Sequence, residues 1–112
     1  MIEPRLASKI QISSLIKLTE IAGGFAAVLK KGDPVSGAIL LVARVRGKDP
    51  AIYERFPTLD GTSEWQNFPQ KSAVSEEDIN AGLEKRTDRD PDLWLIELDV
   101  PDEKRLAEIL TD

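Results

Sequence analysis

The chain begins with an ambiguous pattern. Leu6, Ser8, Ile10 and Ile12 alternate with Ala7, Lys9 and Gln11, which is the period of a strand. Read as one helix from Leu6 to Ala22, the same stretch would turn Ile12 and Ile16 toward the polar side. The pattern therefore predicts a strand over 6–12 and a helix from about Ser14. Ser13 is its expected cap, because a hydroxyl there can accept from an unpaired backbone N–H. Leu15, Leu18, Ile21 and Ala22 form the expected inner stripe, and Gly23–Gly24 the stop, since glycine enters the left-handed region without a Cβ penalty.

Further strands follow. FAAVLK (25–30) reads as a strand, and KKGDPVSG as turn chemistry. Residues 37–47 place Ile39, Leu41, Ala43 and Val45 on one face and Leu40, Val42, Arg44 and Arg46 on the other. Residues 51–56 are expected to return as a hairpin across GKDP. Residues 57–73 hold Pro, Gly, Asn and Ser around Trp65 and Phe68, a loop with room for a short edge strand.

The second helix is expected over 74–89, with Ser75 as N-cap, Val74 stapled to Ile79, and Glu76, Glu77 and Asp78 at the positive end of the dipole. Its apolar stripe, Ile79 and Leu83, is thin. LWLIEL (93–98) is apolar on both faces and predicts a central strand. Residues 101–111 predict a last helix with Leu106, Ile109 and Leu110 inward. The order β-α-β-β-β-(β)-α-β-α describes one α+β domain spanning residues 1–112. Its core is a single-layer mixed, mostly antiparallel sheet of four to six strands, with two to three helices packed on it.

The composition narrows the chemistry. With no cysteine and no histidine, thiolate or imidazole metal ligation, cysteine nucleophiles and the usual near-neutral base are unavailable. A net charge of −5 disfavours a dedicated nucleic-acid binder, whose affinity comes from neutralising phosphates. The longest apolar run, Ala38–Ala43, is too short to span a bilayer. MIEPRLASK lacks the basic segment and apolar core of a secretion signal. A soluble cytoplasmic protein is expected.

Several stretches together resemble a known family. Arg5–Leu6, Ser14–Leu15, Gly23–Gly24–Phe25, Gly32–Asp33 with Gly37, and Asp90–Pro91–Asp92–Leu93–Trp94 are similar to a set of small bacterial proteins, mainly alphaproteobacterial, grouped as domain of unknown function 1491. The resemblance covers nearly the whole chain. Its more specific parts are DPDLW and the GD turn. Gln11 stands where a bulkier apolar residue is expected. The resemblance implies one domain and no activity, substrate or cofactor.

DRDPDLWLIELD (88–99) puts acids at relative positions 1, 3, 5 and 12, where a calcium-binding EF-hand loop places ligands. Leu93 occupies the position that needs glycine. An extended LWLIEL would carry Asp99 roughly 23 Å from Asp92 at about 3.3 Å per residue. Asp88, Asp90 and Asp92 stay as candidates for no more than adventitious cation binding. The structural alternative makes Asp90–Pro91 a type I turn and Asp99 the cap of the last helix. GDPVSG lacks the phosphate-loop pattern and is expected to be a plain hairpin turn.

Arg44, Arg46 and Lys48 fall on one face of one expected strand, with Tyr53 near and Trp65 in the loop beyond. They form a candidate ligand-binding set for an acidic partner, nucleotide or polyanion, set against a solvated sheet edge. No histidine activates Ser13, Ser14, Ser36 or Ser63, and no catalytic residue or cofactor is assigned. The favoured expectation is a non-enzymatic protein working through protein contact or self-association. It rests on strands more apolar than three short helices can cover.

Overall fold

A computed structural model of the chain describes residues 7–48, 50–57, 63–68 and 76–111. Its elements run α1 (Ser8–Ile21), β1 (Phe25–Lys30), β2 (Ile39–Val45), β3 (Ala51–Pro57), β4 (Ser63–Phe68), α2 (Glu76–Arg89), β5 (Trp94–Val100) and α3 (Glu103–Thr111). The strands form one mixed sheet in the order β1-β5-β2-β3-β4. The α+β class and central place of β5 match the sequence pattern. Arg5–Leu6, Val74 and Ser75 lie outside the described residues.

Residues 8–12 belong to α1, not to a strand. The expectation failed because this helix start is capped from a distance. Ala7 offers no side-chain cap. Instead, the N–H groups of Ser8 and Lys9 donate to the carbonyls of Val35 (3.1 Å) and Pro34 (2.9 Å). Four unpaired N–H groups open any helix, and here a loop far along the chain takes two of them. Ser13 lies inside the helix, where its hydroxyl donates back to the Lys9 carbonyl at 3.0 Å.

The buried stripe of α1 is Ser8, Ile12, Leu15 and Thr19, at helical spacing but partly polar. The hydroxyls that masked it are satisfied internally. Ser8 Oγ donates to the Gly37 carbonyl at 2.5 Å, and Thr19 Oγ1 to that of Leu15 at 2.8 Å. Ile21, expected inward, is 74% exposed. Gly23 stops the helix with φ +89°, its N–H donating to the Glu20 carbonyl at 3.0 Å.

Pairing β5 between β1 and β2 overturns the hairpin expected across GDPVSG. β5 runs antiparallel to β1 and parallel to β2, with Leu41 opposite Ile96. β2–β3 is the hairpin expected, and β4 extends it at the far edge. Trp65 is therefore a strand residue.

The two sheet faces are unequal. On one, α1 and α3 bury Ile12, Leu15, Leu106 and Ile109 against Ile39, Leu41, Ala43, Trp94, Ile96, Leu98 and Val100. On the other, Leu40, Val42, Ile52 and Leu93 pack with the half-buried Ala38 and Leu95 and with the half-buried Ile79 and Leu83 of α2. α2 holds by charge as well. Arg86 Nη2 donates to Glu54 Oε2 at 2.8 Å, and Nη1 lies 2.7 Å from Oε1. That pairing holds the Arg86 guanidinium above its ordinary pKa.

Asp99 does not cap α3. It lies in β5, where its carboxylate accepts the Gly47 N–H at 3.1 Å. The cap is Asp102, accepting from the Arg105 N–H at 2.8 Å. That backbone bond holds the Asp102 carboxyl below the usual carboxylate range.

Candidate functional site

The two most specific sequence segments meet. Gly32 and Gly37 close on the Asp92 carbonyl so tightly that a Cβ at either would overlap its oxygen. That oxygen accepts the Asp33 N–H at 2.9 Å. Trp94 Nε1 donates to the Asp33 carbonyl at 2.7 Å, and Lys30 Nζ to those of Pro91 and Leu93, each at 2.9 Å. Asp33 folds its carboxylate onto the Ser36 N–H at 2.7 Å. This bond, with the Ser36 hydroxyl and the Val35 N–H, lowers its pKa. Each polar group named in this junction is hydrogen-bonded within the chain.

The acidic run has similar employment. Asp90 accepts the Asp92 N–H at 3.1 Å through its carboxylate and the Leu93 N–H at 3.2 Å through its carbonyl, the turn its sequence predicts. Asp88 is exposed in the last turn of α2. Among the described residues, no three acidic side chains converge to hold a metal ion.

The candidate set Arg44, Arg46, Tyr53 and Trp65 is not brought together. β2 ends at Val45, and Arg46 turns the chain at φ +55°, so Arg44 and Arg46 no longer share a strand face. Arg44 points to the α2 side and is bound there by Glu76, by Glu97 at 3.3 Å and by the Lys48 carbonyl at 3.1 Å. The Glu76 contact, more than any other, raises its pKa. It is a strut. Arg46, Lys48 and Tyr53 line a groove of about 340 Å³ on the opposite face, closed by Pro101, Asp102 and Glu103 of the α3 start. Burial first, then Glu103, pushes the Tyr53 hydroxyl above its ordinary pKa. Trp65 lies apart, its ring 5.2 Å from the Arg55 guanidinium, in a smaller groove with Gln11 and Leu18.

Apolar exposure concentrates elsewhere. β1 ends the sheet, so its outer backbone groups face no strand among the described residues. Phe25 is 61% exposed, Leu29 53% and Val28 37%. Phe25 and Ala27 sit opposite Asp99 and Glu97, on the face of α2, which does not reach them. No charged residue interrupts 25–29. Lys30, the one cation of the strand, is drawn back onto the 91–93 turn before β5 by its two carbonyl partners. A bulge at Leu29 interrupts the pairing with β5 between Val28 and Lys30. Sequence reasoning missed this edge because it ranked FAAVLK as an ordinary strand. The available signal was an uncharged, continuously apolar run, FAAVL, in a chain with a longer apolar strand, LWLIEL, able to claim the centre. No helix among the described residues is long and apolar enough to cross a membrane.

The comparisons agree with this architecture. A crystal structure of a DUF1491 family protein from Caulobacter crescentus is 31% identical, covers 96% of each chain and superposes with a TM-score of 0.77. A solution structure of a protein from A. tumefaciens is 32% identical, with 96% of this chain and 93% of that one covered and a TM-score of 0.72. An NMR structure of a DUF1491 family protein from Caulobacter crescentus is 29% identical, covers all of this chain and 96% of its own, and gives a TM-score of 0.74. No curated protein matches the chain. The family model "Protein of unknown function (DUF1491)" matches residues 6–108, and the chain belongs to that family.

Proposed function

We propose that this protein acts in the cytoplasm without catalysing a reaction, through self-association of the chain along the open edge of β1. The observation that carries the reading is that edge: a terminal strand with Phe25 at 61% and Leu29 at 53% exposure and no charge between them. Sheet edges in monomers are ordinarily guarded by lysines, prolines or bulges, because unpaired N–H and C=O groups invite another strand. Here the lysine is turned away, and only the bulge at Leu29 guards the end of the strand. Size-exclusion chromatography with light scattering tests the reading. A mass above that of one chain, rising with concentration and reduced by Phe25→Lys, is expected. A clean monomer at high micromolar concentration refutes it.

A second reading, a small-ligand or polyanion module, is favoured by the groove beneath Arg46, Lys48 and Tyr53. Its lining carries both signs of charge around an apolar floor, as polar groups do around small-molecule sites. A thermal-shift screen with nucleotides, amino acids and polyanions decides. A shift abolished by Arg46→Ala supports it, and none in any condition removes it.

A further inference from the structure

The edge also specifies how two copies would meet, an inference resting on the self-association reading. When a strand pairs antiparallel with its own copy, residue numbers of opposed residues sum to a constant. Side chains and hydrogen-bonding groups alternate with period two. Both members of an opposed pair must therefore share an orientation, which makes the sum even. The symmetry axis then passes beside one residue. Within the exposed run, Ala26 and Ala27 are the central choices.

An axis at Ala27 would set Phe25 against the partner's Leu29, inside the bulge, where a ladder is locally broken. An axis at Ala26 uses only Gly24–Val28, where the pairing with β5 stays regular from Phe25 through Val28. It sets Phe25 against the partner's Ala27 and Val28 against the partner's Gly24, large against small on each face. It also carries Lys31, exposed just beyond the strand, toward Glu20 and the carbonyl end of α1 in the other copy. That end is the negative pole of the helix dipole, and its last turn holds no basic residue. We infer that two copies join β1 to β1 antiparallel about Ala26, making one continuous sheet of ten strands with Lys31 seated at the partner's α1 terminus.

The chain has no cysteine, so a single introduced thiol reports on one position. Opposed Cβ atoms lie about 4.5–5.5 Å apart and diagonal ones about 7–8 Å, against the roughly 3.5–4.5 Å a disulfide spans. Under mild oxidation, Ala26→Cys should form covalent dimers several-fold faster than Ala27→Cys, and both faster than Gln66→Cys on the opposite edge strand. Lys31→Glu should weaken association about tenfold, with recovery in Lys31→Glu/Glu20→Lys. A dimer in solution whose Ala26→Cys form cross-links no faster than Ala27→Cys overturns this register and leaves self-association standing. A dimer indifferent to Lys31→Glu overturns it too. Monomers at every concentration overturn both readings together. A non-identical strand captured by the edge while the chain alone stays monomeric would do the same.

Discussion

Substituting Arg86 by alanine strips the counter-charge from Glu54, which is only 5% exposed on β3. Removing one partner of a buried ion pair typically costs about 3–5 kcal/mol, because the other charge stays buried and unpaired. One feature moderates this: the Arg86 side chain is 41% exposed, so water can reach the vacated space. The expected loss is therefore about 2–4 kcal/mol. Urea denaturation of parent and variant measures it. Glu54→Leu/Arg86→Met, which removes both charges, should recover most of the loss. A deficit below about 1 kcal/mol would refute the reasoning, because Glu54 would then be bearing no desolvation.

Trp94→Phe removes the donor to the Asp33 carbonyl and should cost about 1–3 kcal/mol, read as a lowered melting temperature; an unchanged one would mean that the indole bond holds nothing. Gly32→Ala and Gly37→Ala drive a Cβ into the Asp92 carbonyl and should prevent folding, judged by loss of a cooperative melt. Gly82→Ala, whose Cβ meets nothing within 4 Å, should stabilise α2 by up to about 1 kcal/mol. The Asp33 and Asp102 carboxyls have folded pKa values below their ordinary value of 3.8. Their contribution is complete above that value and lost as the pH drops through the folded ones. Acid titration of stability should show a fall below about pH 4, flattened in Asp33→Asn/Asp102→Asn.

Legibility of the sequence followed the range of the forces involved. LWLIEL read correctly as central because apolar residues on both faces have few other places to go. The α3 and β2–β3 segments carry their signals locally. What failed depended on remote partners: the start of α1, capped by the carbonyls of Pro34 and Val35, and the insertion of β5 between strands close in sequence. Asp99 and Asp102 are both plausible caps, and only the length of β5 chooses between them. The candidate cationic set dissolved for the same reason. Arg44 found Glu76 and Glu97, pairings that no spacing announces, and the positive φ at Arg46 turned its neighbours to the other face. The pattern of 93–98 and the first half of 37–47 led to an expectation of surplus apolar surface there, yet Ile39–Ala43, Trp94, Ile96 and Leu98 are buried. The exposed apolar strand is β1, and finding it required the strand order.

That strand order also has a temporal side. The last of the sheet's five strands to be synthesised, β5, occupies its middle, and of fifteen buried apolar side chains among the described residues, seven lie between Leu93 and Ile109. A nascent chain ending before Leu93 would own an α1–β1 unit and a three-stranded meander with nothing to join them, and with both sides of the future seam bare. Growth from the ribosome thus gives no stable half-product. Closure of the whole sheet waits on one late, parallel, long-range pairing, the kind of contact that slows folding. During that wait the edges of β1 and β2 are open at once, and the cell must keep other strands away from both.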